Sequence, residues 1–271
     1  MNNMKIAEIG WNFMGDMQLA EQMVDAAANS GATHVKFQYW NESNLKPGSW
    51  DEDGRREIYR SAQLNEQRIK SLKEFAKKNN LTPFFSVFSI SSMHKLKKLG
   101  DEIIKVPSHE IYNLDLIKNC FEQFNCVILS TGACREEELI QVANLSNKFQ
   151  GKLIVMHCVS SYPCTSDLIN LPRLDVLAKL FPNAILGLSD HTPSTIIPAI
   201  SVAFNVKVVE KHFTTDQSLP GRDNKFALLP NQFKEMVLNF DEAMRACQFQ
   251  GVGAQDSEAD IIKNYRGRWG S

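Results

Sequence analysis

Short apolar runs alternate with amphipathic stretches along the chain. The first run, KIAEIGWN (5–12), is followed by DMQLAEQMVDAAANSGA, whose apolar residues recur at helical spacing. Asp16 stands where an N-cap belongs and Gly31 where a helix stops. THVKFQYW (33–40) is the second strand. A long polar, Gly- and Pro-marked loop is expected over 41–61, before the amphipathic LNEQRIKSLKEFAKKNN. Six further units follow. Their strands are expected at 82–89, 102–110, 126–133, 152–163, 185–192 and 206–214, each before a helical pattern.

These strands read as near-continuous apolar runs, as parallel strands covered on both faces do. Eight strand–helix units in one chain predict a (β/α)8 TIM barrel, a single α/β domain over residues 1–250. Residues 251–271, Gly-rich and polar, are expected to form a C-terminal extension without a core of its own. A doubly wound open sheet accounts less well for the number of units, and no GxGxxG follows the first strand.

The 271-residue length suits one barrel, and 43% apolar with 23% charged residues is ordinary for a soluble globular chain. A net charge of −1 without a strong basic run argues against a nucleic-acid footprint. No basic-then-apolar leader opens the chain, and no apolar run reaches the roughly 18 residues of a membrane span. The six cysteines (Cys120, Cys126, Cys134, Cys158, Cys164, Cys247) contain no CxxC pair. Each reads as a buried reduced thiol, which predicts a cytoplasmic protein without structural zinc.

In a barrel, chemistry belongs at the C-terminal ends of the strands. Polar residues collect at those ends: Glu8, then Lys36 and Gln38, Ser86, Lys105 with Ser108 and Glu110, Ser130, Ser160 with Tyr162, Ser189 with His191, and Glu210 with His212. A single serine there is ordinarily a turn or cap residue, and a single glutamate an internal ion-pair partner. All eight ends carrying polar groups is more than a packed interior tolerates without a ligand. His191 and His212 end adjacent strands about 4.8 Å apart, so their imidazoles can converge on one divalent ion. With Glu8 and Glu110 nearby, the donor set suits Mn2+, Fe2+, Zn2+ or Mg2+. Lys36 and Lys105, with Ser86, Ser108, Ser130 and Ser189, suit a phosphate or carboxylate.

The stretches IAEIGWNFMGD, HVKFQ, KVPSHE, LSTGA, HCVSSYP, GLSDHT, VEKHFT and LPGRDNKF occur in the order of the sialic acid synthase family, which the chain resembles over about residues 5–247. The resemblance implies condensation of phosphoenolpyruvate with an N-acetylated amino sugar and release of phosphate. It implies His191 and His212 as ligands of a divalent metal, Mn2+ first, with Mg2+ or Co2+ as alternatives. Lys36, Ser86, Lys105, Ser108, Ser130, Ser160 and Ser189 would hold phosphoenolpyruvate. Gln38, Tyr162 and Asp223 would contact the sugar, and Glu8 and Glu110 would be the acid/base carboxylates. Ser160 and Ser86 stand where some members carry asparagine and threonine. The implied assembly is a homodimer.

Two departures stand out. The family's GxNHxG reads Gly10-Trp11-Asn12-Phe13-Met14-Gly15 here, with an apolar ring in place of the histidine. The chain also stops at YRGRWGS, about where the family's antifreeze-like domain begins. Arg266 and Arg268, or a separate lid protein, are the expected substitutes. The competing readings are a metal-independent Schiff-base aldolase using Lys36 or Lys105, and a non-catalytic sugar- or acid-binding subunit.

Overall fold

The computed structural model describes residues 3–48, 52, 54–149 and 151–270. Eight parallel strands close into a barrel in sequence order. They are β1 (Met4–Gly10), β2 (His34–Tyr39), β3 (Thr82–Val87), β4 (Ile103–Val106), β5 (Cys126–Ser130), β6 (Leu153–Cys158), β7 (Ile185–Asp190) and β8 (Val208–His212). The TIM barrel expected from the sequence is therefore the fold. Closure sets Glu8 opposite His212 across the β1–β8 seam, and Glu8 opposite Lys36 on the other side.

The helices are α1 (Met17–Asn29), α2 (Arg55–Ala62), α3 (Glu66–Lys78), α4 (Ile90–Lys98), α5 (Leu114–Gln123), α6 (Glu136–Ser146), α7 (Arg173–Leu180), α8 (Ile197–Ser201), α9 (Pro230–Ala246) and α10 (Ala259–Asn264). The Asp16 carboxylate accepts from the backbone N–H groups of Gln18 and Leu19, as an N-cap should. Two expectations are corrected. The loop expected over 41–61 contains most of α2, a polar sequence held because Ile58, Tyr59 and Ala62 pack against Trp11 and Trp40. The strand expected over 102–110 ends at Val106, since Pro107 interrupts the ladder and Ser108–Glu110 coil into a 3-10 turn.

Two apolar cores flank the barrel wall. Val35, Phe37, Leu129, Leu188 and their neighbours meet the helices outside. Met4, Ile6, Phe84, Ile128, Ile154, Met156 and Val208 fill the barrel's interior below the site. Pleating sends alternate residues of a strand to opposite faces. The inward row of β8 thus runs Val208, Glu210, His212, and that of β1 runs Met4, Ile6, Glu8. An apolar plug gives way to charged groups on climbing the barrel.

Phe13 is buried in the outer core, its ring edge-on to Phe37 with centroids 6.2 Å apart. Its apolar character therefore serves packing outside the wall. The six cysteines are unpaired; contrary to the expectation of burial, Cys247, at the end of α9, is exposed and Cys134 is half-buried. Residues 248–270 are exposed, α10 included. Among the described residues, no helix is long and apolar enough to cross a membrane.

Candidate active site

A cavity opens at the C-terminal rim of the barrel. Glu8, Lys36, Gln38, Ser86, Lys105, Ser108, Ser130, Tyr162, Ser189, His191, His212 and Asp223 line it, and all belong to the expected set. Two expected residues are absent from the lining. Glu110 ends the 3-10 turn after β4, half-buried, and its carboxylate accepts from the Asn113 amide at 3.4 Å. Ser160 is exposed, with its hydroxyl 3.9 Å from the Cys158 sulfur. Trp11, Tyr59, Phe88, His109, Cys158, Arg222 and above all Glu210 also line the cavity.

Glu210 is the hub of the floor. Its Oε1 lies 2.6 Å from Lys105 Nζ, 3.4 Å from Lys36 Nζ and 3.2 Å from the Ser189 hydroxyl. Lys36 Nζ also pairs with Glu8 Oε2 at 3.0 Å and donates to Ser86 Oγ at 3.0 Å. Gln38 Nε2 donates to Glu8 Oε1 at 2.7 Å. The ladder register shifts between Glu8 and Gly10, and Gly10 takes a φ of 56°. A Cβ there would stand 3.1 Å from Glu8 Oε1 and 3.2 Å from Gln38 Nε2, so glycine keeps this contact open.

The electrostatics follow from burial and pairing. Burial alone would raise Glu210, but Lys105 and Lys36 outweigh it and hold the carboxyl down to about 2. For Glu8 burial prevails over Lys36 and raises it. Burial opposes the charge of Lys36, yet Glu210 and Glu8 win and raise it; burial lowers Lys105. The two carboxylates thus divide into a fixed anion at Glu210 and a group disposed to take a proton at Glu8.

His191 and His212 face each other with ring centroids 5.3 Å apart. His191 Nδ1 is 2.9 Å from the Val159 carbonyl oxygen. A carbonyl only accepts, so that nitrogen carries a proton; burial opposes a second proton on the ring, but Cys158 and the Val159 carbonyl outweigh it and raise His191. Burial and then His191 push His212 well below its ordinary value, which keeps the ring neutral. His212 Nδ1 is buried without a hydrogen-bond partner and sits 3.8 Å from Asp223 Oδ2. Two facing imidazoles, one with an orphaned nitrogen, form a donor pair that suits a borderline divalent cation once both rings have given up their extra protons. Among the described residues no group of three or more His, Cys, Asp or Glu side chains gathers around one point. Among the described residues the two rings are the candidate nitrogen donors, with the Asp223 carboxylate beside His212. Ser130 Oγ and Glu210 Oε2, both in the cavity lining, are likewise buried without hydrogen-bond partners.

Behind the wall, on the outward face of β7 and β8, Lys211 Nζ pairs with Asp190 at 2.8 Å and donates to the Thr192 carbonyl. Asp190 accepts in turn from the Thr192 backbone N–H at 2.8 Å and from its hydroxyl at 3.1 Å. His191 lies between these two clamped residues.

A closed parallel barrel with paired lysines, buried carboxylates and a histidine pair at its C-terminal rim has the form of a barrel enzyme with a candidate anion site beside a candidate metal site. The model of the NeuB family matches residues 23–251, and the chain belongs to that family. It is an enzyme of the sialic acid synthase type. It is 32% identical over 254 residues to an N,N'-diacetyllegionaminic acid synthase of Legionella pneumophila, covering 88% of this chain and 71% of that one. A pseudaminic acid synthase of Campylobacter jejuni is 29% identical over 271 residues, covering 96% and 78%. The crystal structure of an N-acetylneuraminic acid (sialic acid) synthetase from Leptospira borgpetersenii, in complex with citrate, matches with a TM-score of 0.88 and 28% identity, over 100% of this chain and 94% of that one.

Proposed function

We propose that this enzyme condenses phosphoenolpyruvate with the open-chain form of an N-acetylated hexosamine, giving a nine-carbon 2-keto-3-deoxy sugar acid and inorganic phosphate. The observation that carries this reading is the buried Lys36–Glu210–Lys105 network set beside the His191–His212 pair in one cavity. Lys36 and Lys105 neutralise the phosphate and carboxylate of phosphoenolpyruvate, with the hydroxyls of Ser86, Ser108, Ser130 and Ser189 fixing its orientation. Gln38, Tyr162 and Asp223 hold the sugar.

The methylene carbon of phosphoenolpyruvate forms the new bond to the sugar's aldehyde carbon with its C=C π pair, while the carbonyl π pair moves onto the aldehyde oxygen, which takes up a proton from water. Positive charge then grows on the phosphate-bearing carbon, where the fixed anion of Glu210 stabilises it. Water adds to that carbon and gives its proton to Glu8, whose burial disposes it to accept. The carbon–oxygen bond to phosphate breaks, phosphate leaves with the bonding electrons, and the new hydroxyl passes its proton to the departing phosphate as its oxygen becomes the 2-keto group. A divalent ion bound by His191 and His212 (Mn2+, with Mg2+ or Co2+ as alternatives) would supply Lewis-acid polarisation of the aldehyde. Glu110 lies outside the cavity, so the acid/base work falls to Glu8, with Asp223 the nearest carboxylate to His212. The same reading makes the enzyme cytoplasmic and, by family resemblance, a homodimer.

The test is phosphate release from phosphoenolpyruvate across a panel of hexosamines, with Mn2+, with EDTA, and with His212→Ala. Release with one sugar, abolished by EDTA and restored by Mn2+, supports the proposal; release unaffected by EDTA and by His212→Ala removes the metal from it. Burial lowers Lys105 toward the free amine, which favours one rival, a Schiff-base aldolase. Borohydride inactivation in the presence of pyruvate would establish that rival.

A further inference from the structure

A histidine that is to hold a metal ion needs partners behind it, because a ring free to drift loses affinity for its ion. The strand ladder does not supply them all here. β7 and β8 are paired from Gly187 opposite Val208 to Asp190 opposite Lys211. His191 stands one residue past the last of these pairs, whereas His212 is held from its other side, opposite Glu8 of β1. The 5.3 Å between the two rings is therefore set by contacts outside the ladder that joins their strands.

Those contacts lie on the outward face of the wall. Lys211 Nζ reaches from β8 to the residues on either side of His191. It pairs with Asp190 Oδ2 at 2.8 Å, donates to the Thr192 carbonyl and lies 3.3 Å from the Thr192 hydroxyl oxygen. The Thr192 backbone N–H donates to Asp190 Oδ1 at 2.8 Å, which closes the turn over His191. Lys211, Asp190 and Thr192 are each 1% exposed, and none of them lines the cavity. Stability alone gives no account of a charged pair in this place. Taking both charges out of water is costly, and apolar residues of similar volume often hold a fold as well or better. What one ammonium group supplies, and an apolar side chain cannot, is direction: it ties one strand to both neighbours of a single residue on the next.

We propose that Lys211, Asp190 and Thr192 are positioning residues: a brace behind the barrel wall that fixes His191 at metal-binding distance from His212. This rests on the metal reading of the histidine pair given above and assigns the residues that keep the pair in register. The brace touches neither substrate nor ion. It acts through the backbone of His191, whose carbonyl is held on the opposite flank by the Cys164 N–H at 3.0 Å. The direction of the ring is set separately, by Nδ1 against the Val159 carbonyl.

The experiment uses the full chain and three readings: Mn2+ binding from the EPR signal of free Mn2+, binding of inorganic phosphate to the metal-free protein by calorimetry, and unfolding in denaturant. Lys211→Met should raise Kd for Mn2+ by about tenfold or more, the scale on which partners behind a metal ligand act, with Kd for phosphate unchanged. The decisive variant combines Lys211→Met with Asp190→Asn, which leaves no buried charge without a partner. It should regain stability over Lys211→Met while its Kd for Mn2+ stays raised. Mn2+ affinity that returns together with stability would make the pair merely structural and overturns the proposal. So does a wild-type Kd for Mn2+ in either variant. A parallel loss of phosphate affinity also overturns it, since the whole rim would then have slackened. All three results leave the metal at the histidines. Mn2+ binding that is absent from the wild type, or that survives His212→Ala, removes the metal from the pair and the brace with it.

Discussion

Lys105 Nζ stands 2.6 Å from Glu210 Oε1, and both side chains are almost wholly buried. Glu210 is shared with Lys36, so one carboxylate balances two cations with little help from solvent. Replacing it by the isosteric glutamine leaves two buried lysines short of a counter-charge. Glu210→Gln should cost about 3–5 kcal/mol of stability in the ligand-free protein. Phosphoenolpyruvate or inorganic phosphate would then supply the missing charge, so the ligand-induced rise in Tm should be larger than in the wild type. Thermal unfolding with and without phosphate measures both. An equal ligand shift in the two proteins would mean that the lysines do not hold the anion.

The Lys211–Asp190 pair behind the wall makes a different prediction. Lys211→Met strands a buried carboxylate and should destabilise the fold by about 3–5 kcal/mol. Adding Asp190→Asn removes the stranded charge while an amide oxygen still accepts from Thr192, so the double variant should recover part of the loss. A double-mutant cycle in denaturant reads the coupling. Simple additivity would show that the pair carries no net interaction.

Gly132 tests the floor by volume alone. A Cβ there would come within 2.5 Å of Ser160 Oγ, 2.9 Å of Ser108 Oγ and 3.0 Å of Cys158 Sγ. Gly132→Ala must displace Ser108, whose hydroxyl accepts from the Gly132 N–H at 3.1 Å. The expected result is a rise of about tenfold in KM for phosphoenolpyruvate, with a stability loss of about 1–3 kcal/mol. An unchanged KM would place Ser108 outside the anion site.

His34, at the opposite end of the barrel, gives a pH dependence separate from the chemistry. Burial lowers its imidazole to about 4 from an ordinary 6.5. The folded chain therefore binds that proton less readily than the unfolded chain. Its contribution to stability is complete above pH 6.5 and is lost as pH falls toward 4. Between those values the Tm of the wild type should fall more steeply than that of His34→Gln. Parallel curves would assign the acid sensitivity elsewhere.

The barrel was legible because its strands are apolar on both faces and each precedes a helical pattern. The site was legible where a polar residue interrupts the inward row, as Glu8, Lys36, Lys105, Ser189 and His212 do. Glu210 obeys the same period: it lies two residues before His212 on the same strand and so on the same face. Counting back by two from His212 singles it out, and sets Lys211 on the other face. The sequence pattern extends the fourth strand through Glu110, past Pro107. The backbone turns there, and the glutamate swings toward Asn113. Trp11, Tyr59 and Phe88 gave no sequence signal, since large apolar residues in loops resemble core, and only the closed fold brings three separate segments to one mouth.

Glu8 and His212 face each other across the seam where the first strand meets the last. Nearly the whole chain must therefore be synthesised before these two groups can meet. Until β8 leaves the ribosome, Lys36 and Lys105 lack Glu210, and β1 and β7 are open edges. Barrel closure and the birth of the site are one event. An amino-terminal fragment would accordingly be inert and adhesive rather than a slower enzyme, and a chaperone that shelters those edges would act in the interval before the final strand docks.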